Sequence, residues 1–445
     1  MSKRYYYNKV LWLTGLISLW LAGCTSDEVE PGAEGKKSTS IQLVSYMTPF
    51  EDMASPSTTP ASEARGIALT RADWLPTGYS LDTDHNAIGL YFTQDSSPSD
   101  IIESRNVYYG EDDKWHLNEN VDPNTYLLYG YTPYNAASVD ISKNTTFRNG
   151  AVMTISGLKT VMEKDLCVLV GATEGTSTSP VSYVEVTGLT PNVSSVTGLY
   201  ILSGSIYTEI TDANAKAQSE TKYYERKDLA IGKFDCIIKE ENETTKNYLY
   251  LLFDHLYAEL DLQFRVDEKY AQLRTIRLKE IKATTYTDAD FNTLETKPLK
   301  AVVTLQANNT GASPITSLTF EEDNTGSDQE LDPIYVNNSP TESDNLPSGR
   351  DGYGNKLYSD KVAYLMSDAH RYIMLETMYN VYDTEGHLIE ENRKATNKIN
   401  TRSIFKSAET LERGTKYQLK LTVAPTYLYM LSEPDLDSPT VIMDN

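Results

Sequence analysis

The chain has 445 residues, of which 40% are hydrophobic and 23% charged, so it is long enough for two or three domains with packed cores and too apolar for wholesale disorder. A formal net charge of -23 repels nucleic-acid phosphates and argues against DNA or RNA as partners. Tyr occurs 32 times and Phe only 9, a bias that suits strands whose rings pack while their hydroxyls stay wet.

The chain opens MSKRYYYNKVLWLTGLISLWLAGC. Lys3, Arg4 and Lys9 form a basic start, and the apolar run over 10–21 is too short to span a bilayer comfortably. It ends in Leu21-Ala22-Gly23-Cys24, which resembles a bacterial lipobox. The resemblance implies that residues 1–23 are a lipoprotein signal peptide and that Cys24 becomes the lipidated first residue. Each buried acyl methylene is worth about 0.8 kcal/mol, so a multiply acylated Cys24 is a stable anchor. Asp27 and Glu28 follow, and acidic residues in this place resemble the surface-export signal of Bacteroidetes lipoproteins. Residues 25–39 are polar, without periodicity, and read as a flexible tether.

Strand-like runs then recur, separated by Gly, Pro, Asn, Asp and Ser clusters. In the first half they are 41–47, 87–93, 106–110, 125–134, 151–157 and 165–172. In the second half they are 258–266, 275–283, 300–306, 361–367, 372–383 and 416–425. Two alternate cleanly: Leu260, Leu262, Phe264 and Val266 oppose Glu259, Asp261, Gln263 and Arg265, and Tyr417, Leu419, Leu421 and Val423 oppose Lys416, Gln418, Lys420 and Thr422. A period of two with one wet face is what a β-sandwich demands. Six or so strands per half suggest two Greek-key sandwiches, divided at the charged stretch 239–247. Two long polar stretches, 172–227 and 307–357, read as functional or solvated loops.

Chemistry is harder to find. There is no H-E-x-x-H, G-x-S-x-G, Walker loop or G-x-G-x-x-G. His85, His116, His255, His370 and His387 are scattered, and His255, in a strand-like run, reads as a hydrogen-bonded structural residue. Cys167 and Cys236 read as buried free thiols, a single disulfide being the other state open to them. Neither has a second Cys or a His at ligand spacing, which argues against a metal. The run 82–86 (DTDHN) starts like a calcium loop, but the sixth position is Ala87 and the twelfth is not Glu, so it reads as an acidic turn. Tyr126, Tyr129, Tyr131 and Tyr134 are explained by sheet packing rather than by a sugar platform. The expectation is no catalytic residue, no metal and no cofactor.

Several phrases, in their order, resemble the fimbrillin (type V pilin) family of Bacteroidetes, especially its Mfa-like branch. They are the lipobox, AIGLYFT (87–93), TYLLYGYTPYN (125–135), DLC (165–167), FDHLYAEL (253–260) and VAPTYLYMLSEPDLDSP (423–439). The resemblance implies an all-β chain of two transthyretin-like Greek-key β-sandwich domains after a signal peptide and flexible tether. Its parts are the signal peptide (1–23), the lipidated tether with a removable first strand (24–71), an N-terminal sandwich (72–246) and a C-terminal sandwich with a terminal donor arm (247–445). It further implies a structural or adhesive subunit of a fimbrium at the outer membrane, held by lipid on Cys24, with other fimbrial subunits as partners and a host or bacterial surface receptor as a further one. In polymerising members an Arg-specific protease removes a first strand, and a terminal strand of another subunit fills the groove. By this resemblance the candidate removable strand is Ile41–Met47, with Ile41, Leu43 and Met47 as its marker residues, and the candidate cut sites follow Arg65 and Arg71, the absence of processing being the other reading. The candidate donor is the segment 427–442, with Tyr427, Tyr429, Leu431 and Val441, a tail packed on its own domain being the other reading. The alternative is a surface glycan-binding lipoprotein of a nutrient-uptake system, for which Trp74 or Trp115 would contact sugar.

Overall fold

The computed structural model describes residues 41–52, 75–76, 88–96, 99–109, 115–134, 138–186, 198–210, 222–242, 245–307, 313–323, 334–337, 342–348, 363–369, 371–405 and 410–423. Within them the regular secondary structure is almost wholly strand, as the period-two patterning requires. The first strands are β1 (Ile41–Met47), β2 (Glu51–Asp52), β3 (Leu75–Pro76), β4 (Ile88–Gln94), β5 (Ile101–Tyr109), β6 (Trp115–Leu117), β7 (Asn124–Thr132), β8 (Ser138–Asn144) and β9 (Thr146–Leu158). Next come β10 (Val161–Met162), β11 (Cys167–Glu174), β12 (Ser182–Glu185), β13 (Leu199–Ser203), β14 (Ile206–Glu209), β15 (Tyr223–Lys227), β16 (Asp235–Ile238), β17 (Asn247–His255) and β18 (Tyr257–Val266). The last are β19 (Thr275–Tyr286), β20 (Leu299–Gln306), β21 (Ile315–Glu322), β22 (Ile334–Asn337), β23 (Ala363–Met366), β24 (Tyr372–Tyr382), β25 (Leu388–Asn400) and β26 (Thr415–Val423). Two single-turn helices, α1 (Glu268–Ala271) and α2 (Thr401–Ile404), sit among them.

Seven strands close into a ring in the order β11-β17-β1-β6-β5-β4-β7, with β7 pairing back onto β11. Ring closure leaves no exposed edge between these strands. Its interior holds Ile88, Leu90, Phe92, Leu128, Leu169, Leu251 and Phe253. Strands β4 and β7 approach closely because each contributes a glycine: a Cβ on Gly130 would lie 2.7 Å from the Gly89 carbonyl oxygen. A four-stranded sheet, β21-β20-β9-β8, covers the outer face of β7, β11 and β17 and traps a second core between Tyr129, Val168 and Leu252 on one side and Met153, Ile155 and Val303 on the other.

The second half builds a sandwich from the sheets β10-β23-β18-β26-β2 and β22-β19-β24-β25. Leu262, Phe264, Leu419 and Leu421 of the first sheet meet Ile276, Leu278, Leu375 and Tyr379 of the other. β18 shows the alternation read from sequence, its even positions from Leu260 buried and its charged ones partly exposed. It lies parallel to β26, with Lys416 bonded to Glu259 at 2.9 Å.

Strands from both sides of residue 246 share sheets. β17 and β16, on either side of the polar stretch 239–247, belong to the same nine-stranded sheet. β20 and β21, from the second half, pair with β9 from the first. β10 and β2, from the first half, form the two ends of a sheet in the second sandwich. The chain crosses between the two at Leu256, whose N–H donates to the Leu166 carbonyl at 2.8 Å. Tyr257, fully buried, donates its hydroxyl to the Lys159 carbonyl at 2.8 Å.

The two long polar stretches were expected as loops, and both carry strands instead. Within 172–227, β12, β15, β13 and β14 form a sheet with its own small core of Leu199, Ile210 and Tyr223. Tyr183 stacks on Tyr207 with centroids 3.9 Å apart, and Tyr200 and Tyr224 meet them edge-on. Tyr supplies β-propensity and packing while the aliphatic residues are few and scattered, which is why an apolar-run reading passes over this sheet. Within 307–357 lie β21 and β22 and a segment bonded to β19 through Ser343 and Leu346.

Candidate functional site

The first strand is seated inside the ring rather than added to its surface. β1 runs parallel to β17 in continuous register from Ile41 opposite Asn247 to Met47 opposite Phe253. On its other side it meets β6 at one pair, Leu43 opposite Trp115, and β3 at Tyr46 and Met47. Ile41, Leu43 and Ser45 are buried, and Ile41, Leu43 and Met47 pack into the ring's interior. Gln42 on the opposite face is exposed, while Tyr46 stacks over Tyr250 at 6.3 Å. Ile41, Leu43 and Met47 thus all face the ring's core. Burying an aliphatic side chain is worth about 1.5–3 kcal/mol, so Ile41 and Leu43 alone make an empty groove costly.

Beyond β1 the chain is pinned by polar groups. The Thr48 N–H donates to the Phe253 carbonyl at 3.0 Å, and its hydroxyl donates to Asp254 Oδ1 at 2.9 Å. His255 Nε2 lies 2.6 Å from the Thr48 carbonyl. A carbonyl only accepts, so Nε2 carries a proton there. His255 Nδ1 faces Asp165 Oδ2 in an ion pair. Burial alone pushes the His255 pKa down, but the Asp165 charge and hydrogen bond, the Asp254 charge and the Thr48 carbonyl outweigh it, and the net direction is up. The ring is held as an imidazolium. Phe50 lies over it, with centroids 3.7 Å apart, and touches Tyr364 at 6.0 Å.

Asp254 is itself anchored by Arg413 at 2.5 Å, and Arg413 also donates to the His255 carbonyl and to Ser313. Next, the Glu51 N–H donates to the Gly414 carbonyl at 2.9 Å, and β2 pairs with Thr415 and Lys416 of β26. One segment, 41–52, therefore fills a place in the ring and then an edge of the second sandwich.

Cys167 sits beside this cluster because β11 and β17 are antiparallel with Cys167 opposite His255. Its thiol donates to Asp165 Oδ2 at 3.0 Å and lies 3.5 Å from His255 Nδ1. Burial pushes the thiol up, and the Asp165 charge pushes it further. The donor atoms of Asp165, Cys167 and His255 all lie within 4.8 Å of one another. Such a trio could be weighed as a metal set, but the ion pair and the thiol hydrogen bond account for the arrangement. Sequence spacing missed it because its members are 90 residues apart. The two phrases DLC and FDHLYAEL, each noted separately, were the available signal. Cys167 and Cys236 are both free and buried.

Trp115, the sugar-contact candidate of the glycan reading, is 6% exposed and faces the ring's interior. His116 stacks on Tyr108, and His387 pairs with Asp383 in an exposed turn. Tyr126, Tyr129 and Tyr131 are buried in β7 as sheet packing requires. Cys24, Arg65, Arg71, Trp74, His85, His370, the acidic turn at 82–86, and Tyr427, Tyr429, Leu431 and Val441 lie outside the described residues.

Fold and site together define an all-β chain whose first described strand is seated among β17, β6 and β3. No family model and no curated protein matches the sequence. Among solved structures, a fimbrial protein from Bacteroides vulgatus is similar at 11% identity and a TM-score of 0.35, over 91% of this chain and 98% of that one. The fimbrial anchor protein Mfa2 from Porphyromonas gingivalis is similar at 8% identity and a TM-score of 0.23, over 90% of this chain and 95% of that one.

Proposed function

We propose that the chain is a non-catalytic structural or adhesive subunit of a cell-surface fimbrium, exported as a lipoprotein through Cys24 to the outer membrane and assembled by strand exchange. The observation that carries this reading is the seating of β1: Ile41, Leu43 and Met47 fill the ring's core from the first described strand. The stretch that follows the segment 41–52 contains Arg65 and Arg71. A cut after either residue separates β1 and β2 covalently from everything they pack against. The emptied place is a row of apolar side chains with unpaired backbone on β17, which an extended segment of another subunit can satisfy. The phrases that resemble those of the type V pilins support the same reading, and the partners are then other fimbrial subunits and a host or bacterial surface receptor.

Treatment with an Arg-specific protease tests this. Cleavage at Arg65 or Arg71 should release the fragment and give either oligomers or a monomer that binds an apolar dye in the open groove. A cleaved protein that does neither would overturn the strand-exchange reading.

A further inference from the structure

The groove has a second part, and it bears on which strands can enter. An apolar slot with a period of two specifies which face of a strand turns inward, but a shift by two residues keeps that face inward. Apolar packing alone therefore fixes orientation and leaves register open. The polar cradle at the end of β17 does not share that ambiguity. Only the position of Thr48 places a hydroxyl 2.9 Å from Asp254 Oδ1, and Asp254 is 8% exposed and fixed by Arg413. Only the position of Phe50 lies over the His255 ring. A two-residue slide would put Tyr46 or Phe50 where Thr48 sits, presenting no hydroxyl at that depth to the buried carboxylate.

We infer that Asp254, His255 and Arg413, with Asp165 holding His255, are the register stop of the acceptor groove. They select an incoming segment by a hydroxyl residue one position past the slot and an aromatic residue two further on. The partner chemistry is thus explicit: an extended segment of another subunit, apolar at the places of Ile41 and Leu43, small at Ser45, with Ser or Thr at 48 and a ring at 50. Beyond it the backbone continues along β26 as Glu51 and Asp52 do now. This rests on the strand-exchange reading and adds to it the residues that decide which strand fits. A hydrogen bond to a buried charge and a ring over a desolvated cation are each specific enough to discriminate.

The test uses the full chain cut after Arg71 and freed of its fragment, refilled with labelled synthetic peptides of residues 41–52. Fluorescence anisotropy gives affinity, and a photo-crosslinker at position 46 reports register beside Tyr250. The Thr48→Val peptide should bind about tenfold or more weakly and crosslink at positions two residues away as well. The Phe50→Ala peptide should also weaken, and Gln42→Ala should match the unaltered peptide. Equal binding and equal crosslinking by Thr48→Val would overturn the inference while leaving strand exchange intact. Failure of the unaltered peptide to rebind would overturn strand exchange and this inference with it. In the uncut chain, Thr48→Val should speed amide exchange across 41–52 relative to Gln42→Ala, and unchanged exchange would overturn the register stop there too.

Discussion

Truncating Leu43 to Ala tests the seating of β1 in the folded, uncut protein. Leu43 is 5% exposed and lies between Leu249 on β17 and Trp115 on β6. Losing a buried Leu side chain costs about 2–5 kcal/mol, depending on how far the surroundings collapse. Here β6 touches β1 at a single pair, so some inward movement of Trp115 is open to it, and about 3 kcal/mol is expected. Gln42→Ala, one residue away on the exposed face, should stay within about 0.5 kcal/mol of the parent. Urea unfolding followed by Trp fluorescence measures both. With an m-value of about 3 kcal/mol/M, Leu43→Ala moves the midpoint by about 1 M at unchanged slope. If the two variants unfold together, β1 does not fill the ring and the account of the groove is wrong.

Three other outcomes follow from the cluster at the end of β17. His255 has its pKa raised on folding, so its contribution is complete below the unfolded value of about 6.5 and fades as pH climbs through the higher folded value. Urea midpoints taken from pH 6 upward should therefore fall more steeply for the parent than for His255→Gln, and parallel curves would refute the imidazolium. Arg413→Met leaves Asp254 buried without its ion-pair partner and should cost about 3 kcal/mol, whereas a loss under about 0.5 kcal/mol in thermal or urea unfolding would place that pair among weak surface bridges. Burial holds the thiols of Cys167 and Cys236 well up, so peptide mapping after iodoacetamide should show both unlabelled in the native protein and both labelled in urea; native labelling of either would contradict its burial.

The fold class was legible because alternation in β18 and β26 leaves little choice of element, and their burial follows it residue for residue at Leu260, Leu262, Tyr417 and Leu419. The small sheet of β12 to β15 was not, because its few apolar residues, Leu199, Ile210 and Tyr223 among them, are scattered through a stretch that composition marks as polar. The cradle was not legible either. Asp165, His255 and Thr48 are brought together by the pairing of β11 and β1 with β17, and Arg413 by the pairing of β26 with β18, and pairing between strands so far apart in sequence leaves no local trace. The stretch 239–247 shows the converse error: charge and polarity mark an exposed loop equally well between domains and between two strands of one sheet.

The exchange of strands across residue 246 has a consequence for how the molecule comes apart. Each half is stitched with pieces of the other: β20 and β21 over the ring, β10 and β2 at the borders of the second sandwich. Neither half can therefore melt alone without stripping partners from its neighbour, so the described body should unfold as a single cooperative unit. Fragments made by dividing the gene at 246 would each inherit orphaned sheet borders rather than a finished domain.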